Sequence, residues 1–146
     1  MNINGYEIKP NANLAQADLS GSDLSGADLS GANITLAGLQ NTNLSNANLA
    51  GASGASVFLF DANLTGANLT GASLFGAILC GANLTNANLT KASLGGADLT
   101  DANLTGANLT GAYLGDADLR QANLTGANLT GAFLVRAKMP DGSVHE

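Results

Sequence analysis

Apolar residues recur along this chain with a period of five. Central positions taken from 14 to 139 in steps of five give 26 windows; 23 of them hold Leu, and 23 have Ala two residues earlier. An α-helix needs apolar residues about every 3.6 positions and a half-buried strand needs them at every second position, so neither element fits. The chain must turn once per repeat. The sequence therefore predicts a solenoid in which one short unit stacks on copies of itself.

The other three positions of each repeat are polar or small. The cleanest copies, such as Ala62 to Gly66 and Ala107 to Gly111, read Ala-Asn-Leu-Thr-Gly. Gly adopts positive φ without a steric penalty, and Asn or Asp side chains bond to nearby backbone groups, so these residues suit turns. We expect Ala and Leu to point inward and the other three positions to point outward.

This repeat resembles the pentapeptide-repeat family, in the tandem A(D/N)LXX form found in cyanobacterial proteins, and the resemblance covers residues 12 to 141. It implies an all-β fold, a right-handed quadrilateral β-helix in which four repeats make one coil. The 26 repeats would then form about six and a half coils, and a coil spacing of about 4.8 Å gives a rod roughly 30 Å long. The resemblance implies no single activity, because family members differ in what they bind.

Three segments are predicted: an N-terminal lead-in or cap over residues 1–11, the solenoid over 12–141, and a short polar tail over 142–146. In the lead-in, Ile3, Tyr6 and Ile8 are expected to cover the first coil. The tail is expected to fray, because short polar termini make few contacts.

With four repeats per coil, residues twenty apart lie above one another, so each side of the rod reads as a column. The columns that contain Leu24 and Leu29 settle into a uniform Asn-Leu-Thr pattern. The two other columns hold nearly all departures from the repeat: Leu36, Phe58, Phe60, Phe75, Ile78, Cys80, Tyr113, Arg120 and Phe133. A working face is expected where the repeat departs from its own consensus.

The strongest departure runs from Gly54 to Phe60. Gly54 stands where Leu is expected and Val57 where Ala is expected, which local repacking explains. The outward aromatic residues are not explained in this way. The twenty-residue register predicts one apolar patch, formed by Phe58, Phe60, Phe75, Ile78 and Cys80. Such a patch marks a contact site for a partner or for self-association; alternatively, the rings lie flat over neighbouring coils.

A second candidate patch is acidic and consists of Asp98, Asp101, Asp116 and Asp118. A solvated, solubilising face is one interpretation. The other interpretation is that the patch imitates nucleic-acid phosphates. Some proteins of the pentapeptide-repeat family, which this repeat resembles, bind DNA topoisomerases as DNA mimics. This chain departs from that pattern, since it has few acids and no evident C-terminal dimerisation helix.

The uniform Asn-Leu-Thr sides support a further alternative. Regular Thr arrays on β-solenoids order water and bind ice, and these sides would present two such ladders. In the simpler interpretation, Asn braces the turns and Thr suits a β surface.

Composition excludes several classes of function. A net charge of −6 with only five Lys and Arg argues against direct nucleic-acid binding. No apolar run approaches the roughly 18 residues of a membrane span, and no signal peptide is visible in Met1 to Pro10. The single cysteine, Cys80, fits a reducing cytoplasm.

Catalytic chemistry finds little support in the sequence. The only histidine is His145, in the tail, and no Cys/His cluster or Ser-His-Asp set is present. We expect no enzyme, no cofactor and no metal site. The predicted function is a non-enzymatic structural or interaction protein that presents a rigid surface to an unidentified protein partner, as a monomer or a weak dimer through a solenoid end or the aromatic patch. The alternatives are a DNA-mimic inhibitor of a topoisomerase and, as a minor one, an ice-binding or water-ordering surface.

Overall fold

The computed structural model describes all residues from Met1 to Glu146 and shows a four-sided parallel β-helix. Every parallel bridge joins residues twenty apart, from Asn13 with Asn33 to Asp118 with Lys138. Twenty residues are four pentapeptides, so each coil has four sides and each side is one repeat long. We name the faces after their first leucines: the Leu14, Leu19, Leu24 and Leu29 faces.

Each side contributes a single bridging residue, the one before the central Leu. The bridge between Asn13 and Asn33 shows the pattern: Asn33 N–H donates to Ala12 O at 2.9 Å, and Leu14 N–H donates to Asn33 O at 2.7 Å. Because the chain turns again within the same repeat, these bridges do not extend into strands. The only strands are β1 (Asn2–Ile3) and β2 (Tyr6–Glu7), which pair antiparallel. The predicted β-helix is thus built mainly from bridges and turns.

The turns follow one rule along the whole rod. The N–H of each inward residue donates to the carbonyl of the central residue three positions earlier, as in Ala17 N to Leu14 O at 3.0 Å. In every repeat, the residue that precedes this donor has positive φ; these residues stand at every fifth position from Asn11 to Arg136. Type II β-turns require positive φ at this place, which explains why Gly and Asn predominate there. Leu36, with φ of 57°, is a bulky exception.

The core is one column of stacked Leu and Ala side chains, and the main buried cluster contains 43 residues. The break in the repeat at Gly54 leaves no obvious gap. A Cβ placed on Gly54 would lie 3.0 Å from Leu74 Cδ2 and 3.1 Å from Ile34 Cγ1, so the side chains above and below already fill the space. Val57 is fully buried beside it. The geometry agrees with local repacking.

The N-terminal end of the core is covered. Ile8 is buried, while Ile3 and Tyr6, from the β1–β2 hairpin, pack against the core. Leu24 and Leu29 of the first coil are fully buried. The structure contains no helix of sufficient length and hydrophobicity to span a bilayer.

The expectation that the C-terminal tail frays is wrong. Val144 forms an antiparallel bridge with Lys138, and Arg136 N–H donates to His145 O at 2.7 Å. The last rung of the Leu19 face has no coil beyond it, so the tail folds back and pairs with its free backbone groups. The tail covers this one face only.

The three other faces of the last coil are open. Leu124, Leu129 and Leu134 are only half-buried, and their backbone N–H groups make no hydrogen bond. The two ends of the rod therefore differ: the first coil is covered and the last coil is largely uncovered.

Candidate functional site

The predicted aromatic patch lies where the Leu14 and Leu19 faces meet. Phe58 and Ile78 form a bridge on neighbouring coils of the Leu19 face, and Phe60 and Cys80 lie two residues further along the same two rungs. Phe75 stands on the Leu14 face, three residues before Ile78 along the chain. Phe58 and Phe75 are exposed, whereas Phe60, Ile78 and Cys80 are half-buried. The exposed apolar surface of the patch thus belongs mainly to the rings of Phe58 and Phe75.

Cys80 lies in an environment that favours its neutral form. Burial is the main cause that raises the pKa of the Cys80 thiol, and the negative charges of Asp98 and Asp61 add to the effect. A thiol is a poor nucleophile unless it is ionised. Cys80 therefore contributes an apolar side chain to the patch.

A second aromatic group lies further along the Leu14 face, and the sequence-based patch did not include it. The rings of Tyr113 and Phe133 stack with centroids 4.9 Å apart and planes inclined by 8°. Tyr113 leans over two glycines: a Cβ on Gly95 would lie 2.8 Å from Tyr113 Cε1, and a Cβ on Gly115 would lie 2.7 Å from Tyr113 Oη. Two aromatic residues twenty positions apart, beside paired glycines, are the signal that predicts this stack.

All large apolar side chains that the solenoid exposes belong to the same two faces or to the corner between them. The four rings are between 39% and 61% exposed. We call them the aromatic surface: Phe58, Phe75, Tyr113 and Phe133. Leu36, at the corner between the two faces, is also exposed. The Leu24 and Leu29 faces expose no comparable side chain.

The acidic patch is partly neutralised by cations. Asp116 accepts two hydrogen bonds of 2.7 Å from Arg136 on the next coil, and Asp118 accepts 2.6 Å and 2.9 Å bonds from Arg120. The hydrogen bond from Arg136 is the main cause that lowers the pKa of Asp116, and the bond from Arg120 does the same for Asp118.

The other two predicted acids are arranged differently. Asp98 bridges Asp118 and accepts bonds from the Thr100 N–H and hydroxyl at 3.0 Å and 2.7 Å. Asp101 stands at the corner that follows the Leu19 face, and Asp116 stands at the corner that precedes it. The four carboxylates are therefore spread across one face rather than gathered into a continuous row.

The Asn-Leu-Thr sides are held by their own hydrogen bonds. Asn63 Oδ1 accepts bonds from both the N–H and the hydroxyl of Thr65, at 3.1 Å and 2.7 Å. Asn63 Nδ2 donates to Asn43 Oδ1 on the coil before, at 3.2 Å. This pattern braces each turn and links the coils, which accounts for the uniform sequence of these sides.

An open groove of about 330 Å³ lies on the N-terminal half of the Leu19 face. Its lining includes Asp18, Leu36, Gly38, Gln40 and Phe58. Gly38 and Gln40 had no part in the sequence-based patch.

Comparison with protein families gives a match to pentapeptide repeats in 8 copies, over residues 12–51, 37–71, 67–106 and 102–139. Comparison with curated proteins gives no match. Among solved structures, a pentapeptide repeat protein from Nostoc PCC 7120 is 44% identical, with a TM-score of 0.54, over 55% of this chain and 66% of that one.

Two longer alignments have lower structural scores. HetL, a pentapeptide repeat protein involved in heterocyst differentiation regulation in Nostoc sp. strain PCC 7120, is 27% identical over 93% of this chain and 92% of its own, with a TM-score of 0.45. A pentapeptide repeat protein of the Arabidopsis thaliana thylakoid lumen is 34% identical over 84% and 72%, with a TM-score of 0.40. Since the matched repeats span nearly the whole solenoid, this chain belongs to the pentapeptide-repeat family, whose members form right-handed β-helices.

Proposed function

We propose that this chain is a non-enzymatic interaction protein that binds a protein partner through the aromatic surface. The observation that carries the proposal is the placement of the exposed rings, which all lie on two adjacent faces of the rod. Aromatic side chains bury a large area at low entropic cost and are enriched among the residues that dominate binding energy. The register of the coils holds the rings in fixed relative positions. We place this interaction in the cytoplasm, because the single cysteine suits a reducing compartment.

The glycines beneath Tyr113 support this role. Gly95 and Gly115 are buried under its ring, and any larger residue at either position would push the ring away. The core does not require glycine there, because both residues occupy an outward position of the repeat. A binding partner that requires this position of the Tyr113 ring would explain why both residues are glycine.

The experiment compares a double variant, Phe75→Thr with Phe133→Asn, with the unmodified chain. Proteins captured from an extract of the source organism are identified and purified, and their dissociation constants are measured by calorimetry. We expect the variant to remain folded and to bind a genuine partner about tenfold more weakly, as for the loss of aromatic anchors. A second variant, Phe58→Asn with Phe60→Thr, tests the Leu19 side of the surface.

The matched control is Thr70→Ser with Asn128→Ser, which changes the same repeat positions on the Leu29 face. This control should bind like the unmodified chain. Equal affinity of the unmodified chain and both aromatic variants for every partner would refute the proposal.

The two alternative functions find less support in the geometry. Asp116 and Asp118 already pair with Arg136 and Arg120, so the acidic patch offers fewer free charges for the imitation of phosphates. On the Asn-Leu-Thr sides, hydroxyls such as that of Thr65 already donate to Asn side chains. Neither surface is preferred as the working face.

Self-association through the last coil is a second candidate, because that end is open. Leu124, Leu129 and Leu134 leave unpaired N–H groups next to half-exposed core. A second copy would satisfy these groups and cover the apolar side chains. Sedimentation velocity over a range of concentrations tests this: we expect a weak dimer that Leu129→Asn abolishes, and a concentration-independent monomer would exclude it.

A further inference from the structure

The groove on the Leu19 face is centred on a missing side chain. Asp18, Gly38 and Phe58 follow one another in a single outward column, and bridges join Asp18 to Gly38 and Gly38 to Phe58. Because Gly38 carries no side chain, a slot remains between the side chains of Asp18 and Phe58, whose backbones lie about two coil spacings, roughly 9.6 Å, apart. The floor of the slot is the backbone of Gly38.

Two acceptor oxygens converge on this slot. The position that a Cβ on Gly38 would occupy lies 3.2 Å from Gln40 Oε1 and 3.6 Å from both Asp18 Oδ1 and the Gln40 Nε2 donor. Gln40 Oε1 is buried and has no hydrogen-bond partner. Buried polar atoms in folded proteins are nearly always paired, so Gln40 Oε1 is an acceptor that the chain itself leaves unsatisfied.

The surrounding charge is negative. No Lys or Arg occurs between Lys9 and Lys91, and Asp18 is the only charged residue among those that line the groove. Asp18 accepts hydrogen bonds from the Ser20 N–H and hydroxyl, and the hydrogen bond from the hydroxyl is the main cause that lowers its pKa, so it is ionised at neutral pH. The slot thus presents negative charge and oxygen acceptors without a cation of the chain's own.

The remaining wall of the groove is apolar. Leu36 occupies a turn corner with φ of 57°, where most other corners have Gly, Asn or Asp, and it is exposed to solvent. Every corner of the rod has this backbone conformation, and Leu36 is the only corner residue with a large apolar side chain. Leu36 and Phe58 give the slot two apolar contacts beside its acceptors.

We propose that the slot above Gly38 receives an arginine side chain of a protein partner. The inference rests on the proposed interaction function and names the chemistry of one contact. A guanidinium group has five N–H donors, no acceptor and a positive charge. It therefore suits the side-chain oxygen atoms of Gln40 and Asp18 and the negative charge of Asp18. Its planar face stacks on aromatic rings such as that of Phe58, and its aliphatic stem packs against Leu36. A lysine ammonium is more strongly hydrated and lacks the planar face.

The test uses N-acetyl-arginine N-methylamide as the probe and the citrulline analogue, which has nearly the same shape but no charge, as its matched control. Nuclear magnetic resonance titrations follow the Gly38 amide and the Gln40 side-chain amide. We expect shifts centred on these groups and binding of the arginine probe at least about fivefold tighter than that of citrulline.

Two variants locate the site. Gly38→Asn places in the slot the residue most common at that repeat position, and Gln40→Leu removes the orphaned acceptor at similar volume. Each should weaken arginine binding about fivefold or more while the melting temperature stays close to that of the unmodified chain. Ser73→Asn, at the same repeat position on the Leu14 face, should leave binding unchanged. If Gly38→Asn fails to fold, Gln40→Leu alone decides.

Three outcomes would overturn the inference: equal affinity for arginine and citrulline, unchanged binding in Gln40→Leu, or shifts spread evenly over Asp23, Asp28 and Asp61. The proposed function is tested separately, through the loss of partner binding in the Phe75 and Phe133 variant. Loss of partner binding there without any arginine binding at Gly38 would reject the slot and retain the interaction surface.

Discussion

At the scale of single residues, the position of Gly54 shows that the repeat consensus is not always the best residue. Leu occupies the equivalent place in 23 of the 26 repeats. At position 54, however, Ile34 and Leu74 have closed over the space that a Leu side chain would need. The fit of the core is therefore a property of three stacked repeats and not of the single repeat.

We predict that restoring the consensus with Gly54→Leu destabilises the protein by about 1 to 3 kcal/mol, because it overpacks the core. Urea unfolding monitored by circular dichroism measures the change. The double variant Gly54→Leu with Ile34→Ala should recover part of the loss, since it removes one of the clashing side chains. A Gly54→Leu protein more stable than the unmodified chain would show that a cavity remains at this position.

At the scale of the coil, cross-coil contacts outside the core tie each turn to the next. Asp116 and Arg136 form the clearest ionic example, because both stand at the same corner on successive coils. Hydrogen bonds from Asn43 and Asn48 play the same role for Asp23 and Asp28, at 3.1 Å each. Hydrogen bonds from Ser25 and Ser30 are the main causes that lower the pKa values of Asp23 and Asp28.

Acid should therefore weaken the rod. A carboxyl whose pKa is lower in the folded state than its ordinary value of 3.8 stabilises the fold above that value and loses this effect as pH falls through the folded pKa. We expect the melting temperature to fall as pH decreases below about 4. Differential scanning calorimetry at a series of pH values measures this dependence.

The Asp116→Asn variant serves as the control, because it cannot lose an ionised carboxylate. Its melting temperature should depend less steeply on acid pH than that of the unmodified chain. About 1 M salt should weaken the contribution of the exposed Asp116 pair. Identical acid profiles for the variant and the unmodified chain would show that this pair contributes nothing to the stability of the folded state.

At the scale of the whole molecule, the rod is asymmetric from end to end. The β1–β2 hairpin covers the first coil, while the tail covers only the Leu19 face of the last one. A repeat protein depends on covered ends, since each unit contacts only its neighbours. The uncovered end is therefore the least protected part of the solenoid.

Amide hydrogen exchange should reveal this asymmetry. At concentrations where sedimentation shows a monomer, the amides of Leu124, Leu129 and Leu134 should exchange fast, because they lack acceptors. The amides of Leu104 and Leu109, one coil earlier, donate at 2.8 Å and 2.7 Å and should exchange slowly. Equal protection of both sets in the monomer would contradict the open end.

The sequence alone was sufficient to predict the family and the β-helix, and its twenty-residue register brings Phe58 next to Ile78 as the structure has them. Those features are repeated many times, so each copy strengthens the same signal. Other features occur once, and their outcome depends on contacts between coils. Tyr113 leans over Gly95 because a neighbouring coil leaves room there, and Val144 pairs with Lys138 because the last rung has free backbone groups. Only the tertiary structure decided these, since side-chain direction and terminal pairing depend on neighbours that no single repeat contains.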